Sequence, residues 1–120
     1  MGINFSNDTP IYLQIIEHIK TQIISGAYLP GQKIPSVRDL SLEYQVNPNT
    51  IQKALAELEN VGLIFTERTS GKFVTGDAGL IKRIRMETIQ KMVDQFCLSM
   101  KKVGISEDEL INILKERKSK

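Results

Sequence analysis

Apolar residues recur along this chain at helical spacing before the pattern shifts. Ile11, Ile15, Ile16, Ile19 and Ile23 mark one face of a helix opened by Pro10 and stopped at Gly26. Pro30-Gly31 is a turn signal, and Pro35 stops any helix from running through. Ser36 then caps a short second helix, with Asp39 as a capping-box-like partner and Val37, Leu40 and Tyr44 on its inner face. That helix stops near Gln45, and Val46 is expected to be a buried spacer. A third helix runs from Pro48 to about Asn60. Its stripe of Ile51, Ala54, Leu55 and Leu58 follows the i, i+3, i+4, i+7 rule and must face a core. Proline suits the first helical position, where its missing N–H costs nothing, and the Asn47 side chain can cap the end before it.

Beyond Gly62 the residues favour strands. Ile64, Phe65 and Thr66 form one strand, Phe73, Val74 and Thr75 the other, with Thr69, Ser70 and Gly71 as the turn. Asp77 can cap a long helix reaching Val103, striped by Ile89, Met92, Val93, Phe96, Met100 and Val103. Gly104 ends it. Ser106 and Glu109 form a second capping box, opening a last helix that turns Leu110, Ile111 and Leu114 inward. The polar ending KERKSK is expected to fray.

The predicted fold is mostly α with a small β-hairpin. Residues 1–76 form a winged helix-turn-helix, and residues 77–120 a two-helix dimerisation tail. The tail stripe is too long and apolar for the last helix to cover. It is therefore expected to pair with the same surface of a second chain through Ile89, Met92, Val93, Phe96, Met100, Val103, Leu110 and Leu114.

The outer face of the Pro48 helix carries Asn49, Gln52, Lys53 and Ala56. Most polar helix faces are merely solvated. This one has a capped start, a short helix before it and a wing behind it, which point to base reading. Asn and Gln pair bidentately with adenine, Lys reaches guanine O6 and N7, and a methyl meets thymine. The helix start favours a phosphate, to which the Thr50 hydroxyl adds a donor. Arg38 opens the preceding helix on its outer side and can reach a phosphate or base; the plain alternative is a surface ion pair with Asp39 or Glu43. Arg68, Gly71 and Lys72 are placed at the hairpin tip, where cations and a close-approaching glycine suit a minor groove.

Charge qualifies this picture. The chain of 120 residues carries a net charge of only +2. Residues 1–76 hold six Lys and Arg against seven Asp and Glu, and residues 77–120 hold ten against seven. DNA binding then requires the cations of the first part to share one face. The near balance also supports a rival class, a winged-helix module that binds protein without DNA.

Catalysis finds little support. His18 is the only histidine and is expected to be a solvated residue on the polar side of the first helix. Cys97 is the only cysteine, expected to pack beside Phe96; it excludes an internal disulfide and fits a reducing cytoplasm. No zinc spacing, phosphate loop or long apolar run is present, so no metal, cofactor or membrane partner is implied. The opening MGINFSND has no basic-then-apolar leader, although Gly2 and Ser6 match the loose myristoylation pattern.

The stretches PIYLQI, LPGQKIPSVRDL and VNPNTIQKALAELENVGL, in this order, resemble the GntR-type winged helix-turn-helix of bacterial transcription regulators over residues 10–74. The resemblance implies a DNA-binding dimer on a partly palindromic double-stranded operator, and the chain is read as a cytoplasmic repressor, homodimeric through its tail. The resemblance places contacts on Ser36, Arg38, Asn47, Pro48, Asn49, Thr50, Gln52, Lys53 and Gly71. The family wing often reads Arg-Gly-x-Gly, where this chain has Arg68-Thr69-Ser70-Gly71. The short tail is similar to that of the YtrA-type subgroup, in which it dimerises.

Overall fold

A computed structural model describes residues 5–119; Gly2 and Lys120 lie outside the described residues. Helix α1 spans Ile11–Ile24 and buries Ile15, Ile19 and Ile23 completely. Ile11, one turn earlier, stays 44% exposed, so the core stripe begins a turn later than the pattern suggests. Helix α2, Val37–Tyr44, starts under a cap in which the Ser36 hydroxyl accepts from the Asp39 N–H at 3.1 Å. It ends at Gln45, the one non-glycine with positive φ among the described residues (58°). There the Val46 N–H returns to the Ser41 carbonyl at 3.1 Å. Val46 is half-buried rather than buried.

Helix α3 spans Pro48–Asn60, as the proline and the capping asparagine predict. Asn47 Oδ1 accepts from the Asn49 N–H at 2.8 Å. Ile51, Ala54, Leu55 and Leu58 are all buried against α1 and α2. Each fully buried Leu or Ile side chain contributes about 1.5–3 kcal/mol.

Strands β1 (Ile64–Glu67) and β2 (Gly71–Val74) pair antiparallel in the register Ile64 to Val74, Phe65 to Phe73, Thr66 to Lys72 and Glu67 to Gly71. The connecting loop is Arg68 to Ser70, and Gly71 belongs to β2 rather than to the turn. The wing has a third participant. Lys33 pairs with Phe73 in an isolated antiparallel bridge, the Ile34 N–H donates to the Lys72 carbonyl at 2.9 Å, and the Val74 N–H donates to the Gln32 carbonyl at 2.8 Å. β2 is thus flanked on both sides.

Helix α4 spans Ala78–Lys102, and Asp77 Oδ1 accepts from the Leu80 N–H at 3.0 Å. Its first turns belong to the winged-helix core, where Ile81 and Ile84 pack. The chain divides into the compact units Met1–Ile84 and Arg85–Lys120, a boundary inside α4 rather than at Gly76.

In the second unit, helix α5 spans Glu107–Lys118 with the full Ser106–Glu109 capping box. The expected fraying does not begin at Lys115. Acids in the first turn and Lys115, Arg117 and Lys118 in the last complement the helix dipole and carry the helix to Lys118. Leu110 alone is buried there, at 7% exposed, whereas Ile111 and Leu114 remain open. Ile89, Met92, Val93, Phe96 and Val103 are also exposed within the single chain, and Met100 and Cys97 are half-buried.

His18 departs from its expected solvated state. It is half-buried, with Nδ1 2.9 Å from the Tyr44 hydroxyl and the rings edge to face. Tyr44 has its pKa raised, first by burial and then by the neighbouring Tyr28 and Glu43.

Candidate nucleic-acid interface

The interface is built around the two-sidedness of α3. Four residues hold the helix in the core, so its opposite side must face solvent, and Asn49, Gln52, Lys53 and Ala56 are all exposed. Asn47 and Pro48 fix where the helix begins and hence the rotation at which these side chains emerge. Thr50 is half-buried beside them.

The outward residues diverge. Gln52 and Ala56 open into a depression shared with Val37 of α2, Glu59 and Asn60 of α3, and Lys72 of β2. Lys53 leans the other way. Its Nζ lies 3.9 Å from the centroid of the Tyr12 ring, above a shallow surface lined by Ile11, Tyr12, Asn49 and Thr50. Such a contact is worth about 0.5–1 kcal/mol at an exposed site, enough to orient the lysine without fixing it.

Ser36 and Arg38 are exposed at the start of α2, the former engaged as its cap. Arg68 is exposed in the wing loop. Gly71 has φ +113°, a conformation that disfavours a side chain. Thr69, where the resembled wing carries glycine, has no positive φ, so the threonine imposes no backbone strain.

Lys72 is not at the tip. It pairs across the ladder with Thr66, and its ammonium bonds Thr66 Oγ1 at 2.7 Å and Glu59 Oε1 at 3.1 Å. Thr66 Oγ1 also donates to Glu59 Oε1 at 2.9 Å. The Thr66 hydroxyl, then the Lys72 ammonium, lower the Glu59 pKa. These three groups tie β1 and β2 to the last turn of α3. Sequence patterning missed this clamp and the Lys33 strand, because both depend on pairing between distant segments; Pro35, which forces Ile34 to be extended, is the one local hint of the latter. Among the described residues, no cluster of His, Cys, Asp or Glu could hold a metal, and no helix is long and apolar enough to cross a membrane.

A short helix, a sharply started helix with an amide- and cation-bearing outer face, and a hairpin clamped to its far end define a winged helix-turn-helix of the DNA-binding kind. Residues 11–74 match the bacterial regulatory proteins of the gntR family, and the chain belongs to that family. It is 35% identical over 111 residues to the HTH-type transcriptional repressor YtrA of Bacillus subtilis (strain 168), across 92% of this chain and 85% of YtrA. A GntR family transcriptional regulator from Listeria monocytogenes superposes with a TM-score of 0.86 at 38% identity, over 93% of this chain and 98% of that one. The crystal structure of AraR(DBD) in complex with operator ORE1 matches with a TM-score of 0.55 at 36% identity, over 62% of this chain and 93% of that one. The protein is a DNA-binding transcription regulator and not an enzyme. The rival class, a protein-binding module without DNA, is not favoured.

Proposed function

We propose that this chain is a repressor that binds a partly palindromic operator as a homodimer, with α3 in the major groove and the wing along the minor groove. The carrying observation is the two-sided α3, whose inner residues are buried while Asn49, Gln52, Lys53 and Ala56 face out. Gln52 and Lys53 select bases; Ser36, Arg38 and the amino end of α3 with Asn47, Pro48 and Thr50 hold phosphates; Arg68 and Gly71 lie by the minor groove. Lys72 acts there indirectly, by fixing the wing to Glu59. YtrA is named a repressor and AraR(DBD) is seen on an operator; both names support this assignment. The site of action is the cytoplasm, where a bacterial operator lies.

The tail supplies the second subunit. Ile89, Met92, Val93, Phe96, Met100, Val103, Leu110 and Leu114 form the contact, and all but Met100 and Leu110 are exposed in the single chain. Two winged helices at fixed spacing make the second DNA contact intramolecular, which raises affinity by about 10²–10⁴. Selection of bound fragments from random DNA tests the proposal. The expected result is an enriched motif of two related half-sites roughly one turn, about 34–36 Å, apart. Recovery of fragments with no common motif would contradict it.

A further inference from the structure

We propose that Lys33 is a phosphate contact of the wing, supplying the charge that the sequence pattern assigns to Lys72. The inference rests on the wing facing DNA. Lys72 is occupied: both its hydrogen bonds go to Thr66 and Glu59, and Glu59 cancels its charge. Lys33 differs in each respect. Its backbone is fixed at the outer edge of β2 by the bridge to Phe73 and by the bonds on either side, Ile34 N–H to Lys72 and Val74 N–H to Gln32. It is exposed, and among the described residues no carboxylate pairs with it.

The side chain runs across Gly71. A Cβ built on that glycine would lie 3.1 Å from Lys33 Cε and 3.8 Å from Nζ. The bare glycine therefore gives the lysine stem a bed, and the ammonium comes to rest beside the residue that follows the Arg68–Ser70 loop. From Lys33 the chain leads through Ile34 to Val37 and Arg38, and Val37 lines the same depression as Gln52 and Ala56. Lys33 thus stands on the segment joining the wing to the outer face of α3. A cation held this way, without an internal partner, is placed for a backbone phosphate beside the wing. In a first domain with only six Lys and Arg, each placed cation matters to affinity.

Salt titrations of operator binding with the full chain test this. Lys33→Met keeps an apolar stem over Gly71 and removes the charge; Lys33→Arg keeps the charge; Arg38→Ala reports on the DNA-facing side in general. Losing one phosphate contact makes the slope of log affinity against log salt shallower by about 0.9. The deficit of Lys33→Met should then shrink about 3.5-fold between roughly 50 and 200 mM salt, equally on operator and unrelated DNA, while Lys33→Arg keeps the wild-type slope. An unchanged slope in Lys33→Met beside a shallower one in Arg38→Ala would overturn the assignment of Lys33 alone. Unchanged slopes in both would overturn the DNA-facing assignment of this side, and the Lys33 contact with it.

Discussion

Glu59 in the last turn of α3 and Lys72 in the second wing strand stand 3.1 Å apart, with Thr66 bonded to both. The pair is exposed enough to contribute little, under about 1 kcal/mol at neutral pH. Its pH dependence has a definite sign. Because the folded state lowers the Glu59 pKa, the contribution is present above the unfolded carboxylate pKa and is lost as pH falls through the folded value. Wild type should exceed Glu59→Gln in stability at neutral pH, and the two should converge in acid. On DNA the order should be the same: Glu59→Gln loosens the tie that fixes the wing to α3, so operator affinity should fall with the salt slope unchanged. Melting curves and salt titrations check both halves.

The turn between α2 and α3 stores strain at Gln45, whose φ of 58° costs a residue with a Cβ about 1–2 kcal/mol. Glycine avoids that cost but loses about 0.5–1 kcal/mol in chain entropy. Gln45→Gly should therefore stabilise the fold by roughly 0.5–1 kcal/mol. An increase in melting temperature with unchanged operator preference is the expected outcome.

The start of α3 depends on Asn47 and Pro48. Asn47→Ala removes the acceptor held by the Asn49 N–H and should cost about 1 kcal/mol. Proline at position 52 would meet a helix interior and should cost about 3 kcal/mol or more. Denaturant midpoints separate these magnitudes; an unchanged midpoint for Asn47→Ala would remove the cap from the account.

For the tail, the informative cut follows Ile84, because Ile81 and Ile84 pack on the winged-helix core. The shortened chain should fold, sediment as a monomer, keep the same half-site preference and lose about 10²–10⁴ in operator affinity. Phe96→Asp in the full chain should act likewise, since it would bury an unpaired charge at the contact. A shortened chain that sediments as a dimer would move the contact into the winged domain.

The helices were legible because their signals are local. Ser36, Asn47 and Ser106 each mark a start, and the α3 stripe alone identifies all four of its buried residues. The wing was less so. Expecting Gly71 in the turn puts Lys72 at the tip; the observed pairing of Gly71 with Glu67 sets Lys72 opposite Thr66 and beside Glu59. Strand register decides which face a side chain takes, and no local pattern displayed it. The Lys33 bridge joins residues forty positions apart and leaves no periodic trace. His18 looked polar and outward on its own helix; its partner Tyr44 arrives from α2, which α1 spacing cannot reveal. The tail helices and the uncovered apolar stripe of α4 were legible, whereas Ile111 and Leu114, expected to turn inward with Leu110, are exposed in the single chain.

In the proposed function, the outer face of α3 reads bases while Arg38 mainly supplies general affinity. The most direct measurement compares the sequences selected from random DNA by wild type, Gln52→Ala and Arg38→Ala. Gln52→Ala should lose about 1–3 kcal/mol on the preferred operator and flatten preference at one position of each half-site. Arg38→Ala should weaken all sequences more evenly and reduce the salt slope by about 1. A Gln52→Ala variant that selects the wild-type motif unchanged would contradict the orientation assigned to α3.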